Sequence, residues 1–235
     1  TEVFKEKIQR KIVLVSSSGP EEGKSITISN LAIAMAQGGL RTLLIDADMR
    51  RSVIHKIFGM KSDPGLSNIL RGTVDLKDAI KTFADILTSE MGFDEALKIP
   101  GLDYLNILVS GSMPQAPAEL LMSPEMDRLL AKLRDSYDII LIDTPPVLAV
   151  ADAIILGPKV DAVILVYRVG RTARSLLYRT KTQLVESGAQ VKGIILNNIS
   201  PQIEMQYGYY AYYKYYGKYY DSEERGKKTD KKLIL

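Results

Sequence analysis

The stretch Ile12–Ser25 reads IVLVSSSGPEEGKS. Its first five residues, Ile12–Ser16, are short and mostly β-branched, the composition of a buried strand. Beyond it, Ser25–Gln37 carries apolar residues at helical spacing and stops at Gly38-Gly39, a helix with a glycine stop. A strand, a loop ending in Gly-Lys-Ser and a helix make a phosphate-binding loop of the Walker A type, with Ser18 where the first glycine usually stands. Successive backbone N–H groups in such a loop converge on phosphate oxygens. The helix behind it adds its N-terminal partial positive charge. Gly23 allows close backbone approach, Lys24 reaches the β- and γ-phosphates, and the Ser25 hydroxyl takes a place on Mg²⁺. Gly19, Glu22 and Ile26 complete the predicted nucleotide-binding stretch. As side chains, Glu21 and Glu22 read as solvent-facing loop charges.

Working outward, Thr42–Ile45, Tyr104–Val109, Ile139–Ile142, Ala162–Val166 and Val191–Leu196 are further short apolar runs. Met126–Leu133 and Ala173–Val185 have the spacing of amphipathic helices. The segment Lys81–Pro100 yields no assignment. Strands alternating with helices predict an α/β fold of the P-loop NTPase kind: a mostly parallel sheet with helices on both faces. Ligands then bind outside the carboxyl ends of the strands.

Two of those ends carry carboxylates. The second strand runs into Leu44-Ile45-Asp46-Ala47-Asp48-Met49-Arg50-Arg51. Asp46 and Asp48 are two apart, so on an extended chain both point to the same side. The fourth runs Ile139-Ile140-Leu141-Ile142-Asp143-Thr144-Pro145-Pro146, a Walker B pattern that places Asp143 where it holds Mg²⁺ directly or through water.

Composition removes several alternatives. The chain has no Cys and one His, which excludes disulfides, thiolate zinc sites, a cysteine nucleophile and multi-histidine metal sites. The net charge of +3 is too small to argue for nucleic acid. No apolar run approaches the ~18–20 residues of a membrane span, and no signal peptide is visible. The chain begins at Thr1 rather than Met, as a piece of a longer protein would.

Three regions follow: an N-terminal linker or partial helix, 1–11; a phosphate-loop domain, 12–201; and a tail, 202–235. The tail contains Tyr207, Tyr209, Tyr210, Tyr212, Tyr213, Tyr215, Tyr216, Tyr219 and Tyr220, nine of the chain's 13 tyrosines. Without an apolar period of either kind, it reads as a mobile extension.

Walker A, the Walker A′ run Leu43–Arg51, the Walker B run and the tyrosine cluster together resemble the cytoplasmic kinase domain of bacterial tyrosine kinases of capsular and exopolysaccharide synthesis. Gly111-Ser112-Met113-Pro114 with Pro117-Ala118-Glu119-Leu120-Leu121 is also similar to a segment of that family. Partitioning and cell-division ATPases are wider relatives, but their signature lysine position holds Gly19 here. The family's N-terminal E-x-x-R-x-x-R motif is matched by Glu2 and Lys5, while Ile8 stands at the second arginine.

The resemblance implies an ATP:protein-tyrosine phosphotransferase using ATP and Mg²⁺. Lys24, Asp46 and Asp48 would be catalytic, and Ser25, Asp48 and Asp143 would serve the metal. Asp46 is the candidate acceptor of the tyrosine proton, with Asp48 an open alternative. Asn197 would read the adenine edge. Arg50 would contact phosphate or a neighbouring subunit, or sit solvated at a helix start. The nine tail tyrosines would be phosphorylated in trans within a ring-like homo-oligomer. A transmembrane activator, or polysaccharide co-polymerase segment, would hold the protein at the cytoplasmic face of the plasma membrane. The competing reading is an ATP-hydrolysing switch that binds a membrane partner. No H-R-D or D-F-G occurs, and His55 reads as a surface or helix-packing histidine.

Overall fold

The computed structural model describes residues 11–82, 85 and 100–199. Thr1–Arg10, most of 83–99 and the tyrosine tail lie outside the described residues, so the expectations placed on them go no further here. Two units are distinguished, Thr1–Asn197 and Asn198–Leu235; the first holds every element below.

Six strands form one parallel sheet: β1 (Lys11–Ser17), β2 (Thr42–Asp46), β3 (Leu105–Leu108), β4 (Ile139–Asp143), β5 (Ala162–Arg168) and β6 (Val191–Asn197), in the order β3-β2-β4-β1-β5-β6. Helices α1 (Lys24–Gln37), α2 (Ile54–Ile57), α3 (Leu66–Leu70), α4 (Leu76–Ala79), α5 (Pro117–Met122), α6 (Pro124–Ser136), α7 (Asp152–Leu156) and α8 (Arg174–Glu186) join them.

Neighbouring strand residues feed opposite faces. Leu14, Leu43, Ile45, Ile140 and Ile142 pack with Met126, Leu130 and Leu133 of α6 and Leu156 of α7. Val15, Leu44 and Leu141 pack with Ile28, Ala32 and Ala36 of α1 and with Ile54 and Phe58. Both faces of the central strands are therefore covered, which is why their sequences are apolar without alternation. A fully buried Leu or Ile of this kind contributes about 1.5–3 kcal/mol.

The predicted strands are all present. The third is shorter than predicted: Leu102–Tyr104 forms a 3₁₀ turn first, which leaves Tyr104 exposed. The helix predicted over Met126–Leu133, α6, is longer than that. It starts at Ser123, whose hydroxyl accepts from Met126 N–H, with Pro124 at the first helical position, both common helix-start features. β6 is an edge strand with one neighbour, and Ile194 and Leu196 are about half exposed there.

The register sets up the site. Asp46 on β2 lies directly opposite Asp143 on β4, and Asp143 is also the partner of Val15 on β1. Adjacent strands stand about 4.8 Å apart, so two carboxylates are forced together beside the phosphate loop.

Candidate active site

β1 ends at Ser17 and α1 starts at Lys24. The intervening loop needs Gly23 for two reasons. Its φ is +90°, and a Cβ there would lie 2.1 Å from Asn197 Nδ2. That amide donates to Glu22 O at 2.8 Å. Asn197 thus ties the end of β6 to the phosphate loop, next to the nucleotide stretch named from sequence.

Glu22 is not solvent-facing. It is 1% exposed. Its Oε1 accepts from Gly19 N–H at 2.7 Å and its Oε2 from Arg168 N–H at 3.0 Å. The carboxylate is buried because two backbone donors satisfy it. Gly19 N–H is directed at this side chain, so Gly19 shapes the loop. Glu21 does stay at the surface, paired with Arg171 at 2.6 Å. Ile26 is 56% exposed, which leaves its backbone at the start of α1 as the part that can meet a nucleotide.

The charged centre is compact. Lys24 Nζ lies 3.3 Å from Asp48 Oδ2 and 3.8 Å from Asp143 Oδ2, and it donates to Ser25 Oγ at 3.1 Å. Ser25 Oγ donates to Asp143 Oδ2 at 2.6 Å. Asp46 and Asp48 do not run side by side as extended-chain spacing suggested. β2 ends at Asp46 and the chain turns, with Asp48 N–H donating to Asp46 Oδ1 at 3.1 Å. Asp48 pairs with Lys24, whereas Asp46 Oδ2 accepts from Ser52 Oγ at 2.7 Å and Ile54 N–H at 3.3 Å.

Burial pushes the Asp46 carboxyl up to about 7, with Asp143 opposite adding to the rise and Ser52 pulling it back. Burial pushes Asp143 up to about 6 against the pull of Lys24 and Ser25. Both acids ionise reluctantly because they share a dry pocket with another acid.

Arg50 does not sit at a helix start, free in solvent. Its guanidinium forks onto Asp152, Nε to Oδ2 at 3.2 Å and NH2 to Oδ1 at 3.3 Å, and Asp152 is fully buried. The pair joins the Walker A′ turn to α7. Sequence reading missed Asp152; its one signal was an aspartate at a helix start nine residues after Asp143. It also missed Ser52, an ordinary turn serine whose partner is visible only in three dimensions.

Asp46, Asp48 and Asp143 outnumber Lys24, and Asp143 Oδ1 is buried with no hydrogen-bond partner. A hydroxyl and carboxylates beside an unpartnered oxygen are hard donors, the set that suits Mg²⁺. Among the described residues, no group of three or more His, Cys, Asp or Glu forms a closed metal cage. Mg²⁺ needs none, because substrate phosphates and water supply much of its shell. The residues present therefore fit a Mg²⁺–nucleotide.

The family model described as "AAA domain" matches residues 10–179. The chain is similar to the tyrosine-protein kinase YwqD of Bacillus subtilis, 35% identical over 202 residues, which cover 86% of this chain and 78% of that protein. It is 37% identical over 198 residues to the putative tyrosine-protein kinase EpsB of Ralstonia solanacearum, covering 84% of this chain and 24% of EpsB. Its fold is similar to the kinase domain of the Escherichia coli tyrosine kinase ETK, with a TM-score of 0.72 and 32% identity over 82% of this chain and 69% of that one. The chain thus spans about a quarter of EpsB but more than three quarters of YwqD. With its phosphate loop, paired strand-end aspartates and these relatives, the chain carries an AAA domain and belongs to the family of bacterial tyrosine-protein kinases.

Proposed function

We propose that the protein transfers the γ-phosphoryl group of ATP to tyrosine hydroxyls. The observation that carries this reading is the cluster of Lys24, Ser25, Asp46, Asp48 and Asp143 at the phosphate loop, with Asp143 Oδ1 unpartnered.

Phosphoryl transfer needs positioning and charge neutralisation more than covalent help. The loop N–H groups and the start of α1 hold the phosphates. Lys24 donates to the β- and γ-oxygens, leaving the carboxylates it otherwise pairs with. Ser25 would ligate Mg²⁺, with Asp143 and Asp48 holding its water shell. That ion, when bound, neutralises charge on the β- and γ-phosphates. Asp46 accepts the tyrosine proton. The new bond joins the tyrosine oxygen to the γ-phosphorus, the bond to the bridging oxygen breaks, and ADP leaves. An acid whose pKa lies near 7 suits a base at neutral pH.

The substrates are the tail tyrosines Tyr207 to Tyr220 of a neighbouring copy, within a ring-like homo-oligomer. Each phosphate adds about −1.5 to −2 charge, so successive transfers repel and loosen the assembly. Asn197, set against the loop at Glu22, takes the adenine edge. The protein regulates polysaccharide polymerisation or export, held at the cytoplasmic face of the plasma membrane by a transmembrane activator. Among the described residues, no helix is long and apolar enough to cross a membrane.

Intact mass after incubation with ATP and Mg²⁺, against a recorded starting mass, tests this. Phosphate-sized increments on Tyr207–Tyr220 are expected, and Lys24→Met abolishes them. Lys24-dependent phosphate release with an unmodified tail, even after addition of the activator's cytoplasmic segment, would replace the kinase with a nucleotide switch.

A further inference from the structure

The chain has one histidine, and it sits two contacts away from the proposed base. His55 Nδ1 lies 2.9 Å from Ser52 Oγ, and Ser52 Oγ lies 2.7 Å from Asp46 Oδ2. Ser52 precedes α2 and His55 stands within it, so three residues of chain fix their spacing. The same turn brings Ile54 N–H to Asp46 Oδ2 at 3.3 Å.

The hydrogens in this line can be counted. A serine hydroxyl has one hydrogen and two lone pairs. With Asp46 ionised, the state in which it can take a proton, the carboxylate only accepts, so the Ser52 hydrogen lies towards Oδ2. The imidazole nitrogen facing Ser52 must then bring its own hydrogen and donate to a serine lone pair. This fixes the Nδ1–H tautomer and leaves Nε2 as an acceptor. Burial and the neighbouring Lys56 both hold His55 below its ordinary range, so the ring that makes this contact is neutral at neutral pH.

We infer that His55 is a positioning residue for phosphoryl transfer: its Nδ1–H fixes the Ser52 hydroxyl, and that hydroxyl fixes the Asp46 oxygen that receives the tyrosine proton. The inference rests on the assignment of Asp46 as the proton acceptor. Without the His55 donor, the Ser52 hydroxyl is free to rotate towards water or a neighbouring acceptor. Asp46 Oδ2 then keeps only the longer bond from Ile54. Asp48 N–H still holds Oδ1, so the loss is partial.

A single histidine makes the test unambiguous. Nitrogen-15 NMR of histidine-labelled protein well above pH 7, where Asp46 is ionised, is expected to show the Nδ1–H tautomer, against the Nε2–H preference of free imidazole. Ser52→Ala should return the ring to Nε2–H. In kinetics, His55→Leu and Ser52→Ala should each lower kcat roughly tenfold with KM for ATP unchanged, the size expected for one hydrogen bond to a charged group. His55→Asn places an amide N–H near the Nδ1 position and should recover kcat to within about threefold of the parent. Melting temperatures of all variants are measured alongside, and His55→Asn, being the smaller change, keeps the test open where His55→Leu fails to fold. A wild-type Nε2–H tautomer at that pH, or full kcat in His55→Leu, overturns the inference. Asp46→Asn separates the two levels: if it keeps full kcat, the base assignment fails, whereas the tautomer still reports whether the His55–Ser52–Asp46 line exists.

Discussion

The two ends of the sheet use aspartate in opposite ways. At the amino end, Asp138 precedes β4 and Asp161 precedes β5. Asp138 takes the Arg41 guanidinium in a fork and the Arg41 N–H as well. Asp161 Oδ2 accepts from Arg134 at 2.7 Å and from Ile12 N–H at 2.7 Å. Burial raises the Asp161 carboxyl, but Arg134 and Ile12 outweigh it and bring it below the usual range. At the carboxyl end, Asp46 and Asp143 face each other across β2 and β4, and both are pushed up. One end satisfies its acids and gains stability. The other crowds them and leaves an oxygen unpartnered. A strand-end aspartate is thus structural or functional according to whether donors or other acids surround it.

The largest break in that comparison is Asp46→Asn. Removing the proposed proton acceptor should lower tyrosine phosphorylation by about 10²–10⁴-fold, read as phosphotyrosine formed per unit time. Stability should move the other way. The folded pKa of Asp46, about 7, lies above its unfolded value near 3.8. Its contribution is therefore fully present below that unfolded value and is lost as pH rises through about 7. An asparagine does not titrate, so the variant should gain on the parent as pH climbs from 4 to 8. Thermal melts should show the gap widening by at least several degrees up to pH 8. In the parent, the phosphorylation rate should rise through pH 7 as Asp46 ionises. Equal melting curves for parent and variant across that range would remove the claim that this acid is held at a cost.

A smaller effect probes the junction between the loop and the outer strands. Glu22 bridges two N–H donors, Gly19 and Arg168. Glutamine can accept from one, but its amide hydrogens then confront the other. Glu22→Gln should therefore raise KM for ATP roughly tenfold, about the loss of one charge-assisted hydrogen bond, with kcat nearly unchanged. A glutamine variant with parental KM would mean that the carboxylate contributes no more than one ordinary bond.

The difference between the two ends also explains what could be read from sequence. The parallel α/β fold was legible because Ile139–Ile142 and Ile12–Ser16 are apolar on both faces, and the Gly-Lys-Ser turn falls between a strand and a helix. Lys24, Ser25 and Asp143 were legible because each is fixed by its place at a strand or helix end. Glu22 was misread as a surface charge because nothing local shows that its acceptors meet a backbone N–H 146 residues away. Arg50 and Asp152 stand 102 residues apart, and their fork depends on how β2 and β4 lie in register. Asp46 and Asp48 looked equivalent at a spacing of two. They separate because the chain stops being a strand at Asp46 and turns, which alternation cannot foresee. Long-range pairing of polar groups has no period, and this is where pattern reading stops.

The smallest expected effect sharpens the comparison from the amino end. Arg134 NH1 is one of two donors on Asp161 Oδ2, and both side chains of this ion pair are partly exposed. In Arg134→Ala the Ile12 N–H still serves that oxygen, so Asp161 is not orphaned. The cost should be about 0.5–1 kcal/mol, or roughly 2–3 °C in Tm. Its pH dependence should mirror that of Asp46→Asn. Asp161 titrates below its unfolded value, so its contribution is present above that value and is lost as pH falls through the lower folded one. Parent and Arg134→Ala should therefore differ at pH 7 and converge as pH falls below the unfolded value near 3.8. ATP KM and kcat should stay at the parental values, because the substitution lies at the opposite end of β1 from the phosphate loop. A change in either constant would mean that the two ends of the sheet are energetically coupled, and that the division between satisfied and crowded aspartates is not a division of labour.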